Sequence, residues 1–327
     1  MSELVSIPKH VRIGPAWEGL TVFDAVRRAF PDVTPRDVFR KARQRELFVN
    51  GKACVPLGRV RQGDVVTVVL PRPPLPPSRP AQRLDVVVET PAGPFRIVRE
   101  DEDLLAVSKP AGCASHPALR HSGDTLIDRV RHYLGARPEH AFQPALANRL
   151  DLETSGIVLV GKNRAARGRL GRSLQRGQLE KRYLALVGGW TQSSGEIAVP
   201  LLRRPDSRTG PERRRVKLQS ALTRYRTIAR YEHPLRCTLL EIELLTGRTH
   251  QIRLHLSQAG HPVAADRRYG DAELNRLLRE TTGLGRLFLH AHRVRLNHPT
   301  SGEALELTTP LPEDLEAVLR SFAPCDE

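Results

Sequence analysis

The chain has 327 residues, a formal net charge of +16 and a pI near 10.6. Its apolar fraction of 39% is enough for a packed core and argues against wholesale disorder, and no apolar run approaches membrane-spanning length. The positive excess works against compactness and suits a polyanionic partner, RNA or DNA. A GC-rich genome would explain the choice of arginine over lysine, but not the excess over Asp and Glu. Four cysteines, Cys54, Cys113, Cys237 and Cys325, form no C-x-x-C pair. Disulfide scaffolding and a zinc ribbon are therefore disfavoured, and a reducing cytosol fits. The N-terminal stretch has no long apolar core before a small-residue cleavage site, so no secretory signal is expected.

Residues 1–70 open with "LTVFDAVRRAF", which places Val22, Ala25, Val26 and Phe30 at helical spacing. "TPRDVFRKARQREL" follows, with Thr34 as a candidate N-cap and Pro35 at the first helical position. "LFVNGKAC" sets an Asn-Gly turn between apolar pieces, and "GDVVTVVLP" is rich in β-branched residues. The segment carries twelve Lys/Arg against seven Asp/Glu. Two helices followed by short strands, with "VNGK" and "GD" beside the strands, resemble the small RNA-binding domain of ribosomal protein S4. That resemblance implies a helix pair facing RNA through Arg36, Arg40, Lys41 and Arg43. A solvated basic helix is the plainer alternative.

"PRPPLPPSRPAQR", Pro71 to Arg83, has six prolines in thirteen residues. It reads as an extended, semi-stiff linker over residues 71–84, with a second domain at 85–327. A docking peptide for a proline-recognition module is the alternative. Beyond it, "FRIVREDEDLLAVSKP" reads as two strands about an acidic turn, and "DTLIDRVRHYL" as a helix with Asp124 as N-cap. "GIVLVGK" is a strand, "RAARGRLGRSLQRGQL" a basic helical stretch interrupted by glycines, and "KRYLALVGG", "TRYRTIARY" and "CTLLEIELLTG" are strands. The order is not a regular βαβ alternation. It predicts an α+β fold with a mixed, largely antiparallel sheet, preceded by the small N-terminal α/β domain.

The chemistry centres on "NRLDLETSGIVLV", Asn148 to Val160. If "NRLD" is extended, Arg149 and Asp151 project to one side and Leu150 to the other. A nearby guanidinium keeps a carboxylate ionised and hence nucleophilic at neutral pH. The stretch alone fits equally a carboxylate that opens a turn or pairs with arginine on a solvated loop.

This stretch resembles the R-L-D-x-x-T-S-G signature of the RluA-type RNA pseudouridine synthases. "EDEDLLAVSKPAGCASHP", "EKRYLALVGG", "ELLTGRTHQIRLHLSQAGHPVAADRRYG" and "LFLHAHRVRLNHPTSGEALELTTPLP" resemble further motifs of that family in the family's order, over roughly residues 95–312. The resemblance implies the pseudouridine synthase fold and isomerisation of uridine to pseudouridine in RNA. That reaction changes no oxidation state and consumes no water, so it needs no metal or organic cofactor. Asp151 is implied as the group that starts glycosidic cleavage, by attack on the ribose or on the base. Tyr183 is implied to stack on the uracil and accept the C5 proton, Arg253 to pair with Asp151 and keep it ionised, and Leu254 to line the floor under the base. Arg149 is implied to enter the RNA where the flipped base has left. One departure is Asn148, where the family usually writes His before R-L-D.

Plainer readings stand beside these. On its residues alone Tyr183 reads as a half-buried strand tyrosine, and a surface arginine on an amphipathic helix is the lesser alternative for Arg253. That helix is expected from Thr249 as cap to Gly260 as stop, although alternating polarity also permits a strand. His290 and His292 form H-x-H, with His250, His255, His261 and His298 elsewhere, but no H-E-x-x-H helix exists, and RNA-contacting or structural histidines are preferred to a metal site. "RRPDSRTGPERRRVK", Arg203 to Lys217, reads as a basic loop for phosphate contact, or as a solvated insertion. The sequence thus predicts a cytoplasmic, monomeric enzyme with RNA as partner, ribosomal RNA ahead of transfer RNA, and no membrane. A non-catalytic RNA-binding paralogue and a metal-dependent nuclease are the rivals.

Overall fold

The structure, a computed structural model, describes residues 6–30, 33, 35–71, 85–117, 123–136, 142–203 and 217–324. The chain separates into two units, Met1–Ser78 and Arg79–Glu327. Thr34, most of the proline-rich segment and all but the ends of the basic loop at 203–217 lie outside the described residues.

In the first unit, strand β1 (Ser6–Arg12) precedes helices α1 (Val22–Ala29) and α2 (Pro35–Arg43). Strands β2 (Leu47–Val49), β3 (Lys52–Ala53) and β4 (Val65–Pro71) follow, and the antiparallel sheet runs β1-β4-β2-β3. The sequence pattern missed β1. Thr21 caps α1 by accepting from the Asp24 amide at 3.1 Å. Val22, Ala25 and Val26 of α1 and Val38 of α2 pack on Leu47, Val66 and Val68 of the sheet. The Asn50-Gly51 turn has positive φ at both residues, the geometry that a tight hairpin between β2 and β3 requires.

One expectation for α2 fails. Lys41 is only 7% exposed, because it follows Val38 by three positions and so falls on the buried stripe of the helix. Its ammonium runs out along the core to Glu46, leaving it no free face for RNA. Arg40 is exposed, though tied to Asp37 at 2.6 Å, and Arg43 is exposed. The Arg36 side chain lies outside the described residues.

The second unit begins with β5 (Val86–Val88), β6 (Phe95–Glu100) and β7 (Leu104–Lys109), then helix α3 (Leu126–Tyr133). Thr125, not Asp124, starts that helix, donating its amide and hydroxyl to Asp128 in a capping box. Next come β8 (Ala145–Leu146), β9 (Ser155–Gly161), helix α4 (Arg164–Gln175) and β10 (Glu180–Gly188). Strands β11 (Ser194–Ile197), β12 (Leu201–Arg203), β13 (Lys217–Gln219), β14 (Thr223–His233) and β15 (Cys237–Leu244) lead to helices α5 (Gln251–Gln258) and α6 (Ala272–Thr282). The chain closes with β16 (Leu289–Asn297), β17 (Ala304–Thr308), helix α7 (Glu313–Arg320) and β18 (Ala323–Pro324).

The main sheet runs β11-β14-β15-β10-β16-β9-β7-β6-β5, with β17, β18 and β8 attached at its side. Among the described residues every pair is antiparallel except β9 with β16, so the fold is α+β with a mixed, largely antiparallel sheet. Strands β7 and β9 read as continuous apolar runs because both of their faces are covered. The parallel step between β9 and β16 brings backbones very close. Gly156 has φ +121°, and a methyl group there would lie 2.3 Å from the Ala291 carbonyl oxygen. The glycine of "TSG" is therefore a packing requirement.

Candidate active site

Asp151 lies on the loop between β8 and β9, and the residues around it explain why it is held still. Leu150 is buried and Arg149 exposed, so the segment alternates as an extended chain does. The Ser115 hydroxyl donates to the Leu150 carbonyl at 2.8 Å and accepts from its amide at 3.2 Å. On the other side of Asp151, the Leu152 carbonyl accepts from the Gly112 amide at 2.9 Å and from Lys109 Nζ at 3.1 Å. Lys109 is fully buried and donates also to the carbonyls of Pro110 and Cys113, at 3.0 and 2.7 Å. Burial brings its pKa down to about 8. The segment "KPAGCAS" thus staples the acidic loop from both sides. Asn148 is a further anchor: its side-chain oxygen accepts from the Leu159 amide at 2.9 Å, and its nitrogen donates to the Ile157 carbonyl at 3.2 Å. The position where the family usually writes His is here a backbone clamp on β9.

The partner of Asp151 comes from α5. Arg253 Nη1 donates to Asp151 Oδ2 at 3.0 Å. Its Nε and Nη2 grip Asp266 at 2.7 and 2.8 Å. Asp266 is 1% exposed and also accepts from the amides of Arg268 and Tyr269. Burial pushes Asp266 up, but these bonds outweigh it and hold the carboxyl below its ordinary range. Burial likewise opposes charge on Arg253, and the two carboxylates outweigh that and raise its pKa. The guanidinium is thereby fixed on one side by Asp266 and offers its remaining edge to Asp151. Among the described residues Arg149 makes no ion pair with Asp151; the nearby guanidinium that meets the carboxylate belongs to α5, far along the chain.

Helix α5 starts one residue later than expected. His250, not Thr249, is the N-cap, in the left-handed conformation (φ 55°). Its Nδ1 bonds the Tyr269 hydroxyl at 2.9 Å, and its Nε2 lies 3.8 Å from Asp151 Oδ1. Burial lowers the His250 pKa, against the pull of Asp151. The helix ends at Gly260 as expected. The His261 amide returns to Leu256 and the Gly260 amide to Ser257, which closes a Schellman turn.

Asp151, Arg149, Tyr183 and Arg253 line one cleft of about 750 Å³, walled by β10, α5 and the loops at 115–117 and 247–250. Tyr183 is buried on β10, and burial together with the Asp151 charge raises its phenol pKa. Leu254 is not part of this lining. Helical rotation of about 100° per residue turns it away, and Ile252 supplies the apolar wall instead. Sequence reasoning also missed Asp266, Lys109, Lys181 and Thr154. Thr154 and Lys181 line the cleft while buried, and Thr154 Oγ1 has no hydrogen-bond partner among the described residues. Nothing in "AADRRYG" marks Asp266, since an acid beside two arginines reads the same in sequence whether exposed or buried.

The histidines of "HAH" part company. His290 meets the Ser155 hydroxyl at 2.9 Å and His292 lies 3.2 Å from Glu241. Among the described residues no group of three or more His, Cys, Asp or Glu is arranged to hold a metal ion. No helix among them is long and apolar enough to cross a membrane.

Residues 103–258, which include Asp151, Tyr183 and Arg253, match the family model for RNA pseudouridylate synthase. The chain belongs to that family of isomerases, and within it to the RluA type read from its motifs. It is 36% identical over 314 residues to ribosomal large subunit pseudouridine synthase C of Escherichia coli (strain K12), covering 93% of each chain. The enzyme of the same name from Yersinia pestis is 39% identical over 293 residues, with 86% of this chain and 85% of that one covered. Among solved structures, human RNA pseudouridylate synthase domain containing 1 superposes with a TM-score of 0.54 at 26% identity, over 71% of this chain and 89% of that one.

Proposed function

We propose that this protein converts uridine to pseudouridine in large-subunit ribosomal RNA, with Asp151 as the group that starts the reaction. The observation that carries the assignment of Asp151 is its ion pair with Arg253 inside the cleft that Tyr183 also lines. The C1′–N1 bond breaks, the base turns over, and C5 bonds to C1′. One proton leaves C5 and one reaches N1, so the sum is an isomerisation that needs no cofactor. Asp151 acts either on the ribose C1′ or on the base; both uses need a carboxylate held at one point, and Arg253 and the two loop staples hold it there. Tyr183 stacks on the uracil and is the candidate acceptor of the C5 proton, a step in which the phenol, kept un-ionised by burial, must pass its own proton on to a neighbouring base.

The target base must leave its stack to enter the cleft, at a cost of roughly a few kcal/mol. Cationic contacts to phosphate offset that cost. Arg149, exposed at the cleft, is read as the side chain that fills the vacated stack. The first unit, read as an S4-like domain, adds contacts through Arg40 and Arg43. The relatives named for the large ribosomal subunit favour ribosomal over transfer RNA. The work belongs in the cytosol, and since both RNA contacts lie on one chain the reading needs no second copy. The test is incubation of purified protein with a large-subunit ribosomal RNA transcript, followed by pseudouridine mapping. New pseudouridine with wild type and none with Asp151→Asn supports the proposal; none with either overturns it.

A further inference from the structure

Lys181 stands two residues before Tyr183 on β10, and both side chains line the cleft. Lys181 is only 8% exposed. A lysine so withdrawn from water ordinarily gathers a carboxylate or several carbonyls around it, because its charge otherwise loses hydration with nothing in exchange. Lys109 does so with three carbonyls. Lys181 has no hydrogen-bond or ion-pair partner among the described residues. The neighbouring carboxylates of the sheet lie with Arg182, which alternates to the other face of β10: Glu180 and Glu241 are engaged by it, and Glu243 stands opposite it in the register. The Lys181 ammonium reaches the turn at Gly247, where an added methyl group would sit 3.7 Å from Nζ. Burial lowers its pKa.

A cation whose stem is buried and whose ammonium opens to the cleft, with nothing to neutralise it, is an unfilled half of an interaction. We infer that Lys181 is a further catalytic residue, whose ammonium donates to a carbonyl oxygen of the flipped uracil and stabilises the negative charge the base acquires on cleavage. The inference rests on the reading of this cleft as the uridine site. When C1′–N1 breaks, the electron pair stays on N1 and spreads to O2 and O4. The same pair then serves the C5–C1′ bond, so Lys181 neither gains nor loses a proton. A phosphate is the less suitable occupant. It would enter beside the Asp151 carboxylate already charged, whereas uracil enters neutral and becomes negative only as the bond breaks. The cation therefore acts on the transition state more than on the bound substrate.

The test uses full-length wild type, Lys181→Met and Lys181→Arg on large-subunit ribosomal RNA transcripts made with uridine or with 5-fluorouridine. Single-turnover loss of the target nucleoside, RNA affinity and thermal unfolding are measured together. Lys181→Met should slow the uridine reaction about 100-fold or more, the usual effect of removing one donor to a developing anion. Its affinity for RNA should stay within about threefold, and its melting temperature should equal or exceed that of wild type, since an unpaired buried charge has been replaced by an apolar chain. Lys181→Arg, which keeps the charge, should retain more activity. Fluorine withdraws electrons and stabilises the departing base, so the loss on 5-fluorouridine should be about tenfold smaller than on uridine. Weaker RNA binding with an unchanged rate would make Lys181 a phosphate anchor and overturn the inference. A lower melting temperature in Lys181→Met with equal losses on both bases would make its role structural and overturn it too. Inactivity of wild type on the uridine transcript would instead count against the proposed substrate.

Discussion

Asp151 does not hold itself in place; Arg253 and Asp266 do. Replacing Asp151 by Asn keeps shape and removes charge. It is expected to lower the single-turnover rate by at least about 100-fold while RNA affinity persists. Retention of more than a hundredth of the wild-type rate would remove Asp151 from its role. Arg253→Ala has a different signature, because it strands Asp266 at 1% exposure without its guanidinium. A buried pair broken on one side costs about 3–5 kcal/mol, so denaturant unfolding should shift by that amount along with the loss of activity. Arg253→Lys should fall between, since an ammonium cannot grip Asp266 with two nitrogens and still reach Asp151. Asp151, Tyr183 and Arg253 were legible through motif resemblance, which ties them together across the chain. Asp266 and Lys181 were not. A carboxylate among arginines and a lysine on a strand look alike in sequence whether exposed or buried, and only the packing distinguishes them. Leu254 shows the converse error: of the two neighbours of Arg253 on α5, Ile252 lines the cleft and Leu254 does not.

The elements that hold the site meet at the parallel step of β9 and β16. Gly156→Ala places a methyl group inside the Ala291 backbone and asks a side-chain residue to adopt φ +121°. A destabilisation on the order of 3 kcal/mol is expected, seen as a lower melting temperature with activity falling in parallel. An alanine variant as stable as wild type would mean that the close approach is absent. On the opposite face of the sheet, Glu241 is buried among Arg182, Arg226 and Arg293 at 2.8, 2.8 and 3.1 Å. Burial alone would raise its pKa; the hydrogen bonds from Arg226 and Arg182 outweigh that and bring it from 4.5 down to about 2. A depressed carboxylate stabilises the fold above its unfolded value and loses that contribution as pH falls through the folded one. The stability gap between wild type and Glu241→Gln should therefore be full above pH 4.5 and close as pH falls to about 2. A gap that stays constant with pH would contradict the assignment. Helical spacing revealed α1 and the Thr34-Pro35 start revealed α2, while the order of elements revealed the mixed sheet. Lys41 was misread because a charged residue on a core stripe keeps its polar end in reach of Glu46, which residue type does not disclose.

Across the whole molecule, a net charge of +16 predicts RNA binding that weakens steeply with salt. Under the proposed S4-like role, Arg40→Ala with Arg43→Ala should flatten the slope of log affinity against log salt by about 1–2 and leave the rate at saturation unchanged. An unchanged slope would mean that these two arginines touch no phosphate. The class of fold and the sort of partner could be read from charge, element order and co-linear motifs. The clamp by which Lys109, Ser115 and Asn148 fix the acidic loop could not, since its contacts run from buried side chains to distant backbone. The central claim is that Asp151, held by Arg253, isomerises uridine in large-subunit ribosomal RNA. Its most direct test is pseudouridine mapping of that RNA from cells lacking the protein, complemented with wild type or with Asp151→Asn. The account predicts at least one pseudouridine that disappears with the protein, returns with wild type and stays absent with Asp151→Asn. An unaltered map, or full restoration by the asparagine variant, would contradict it.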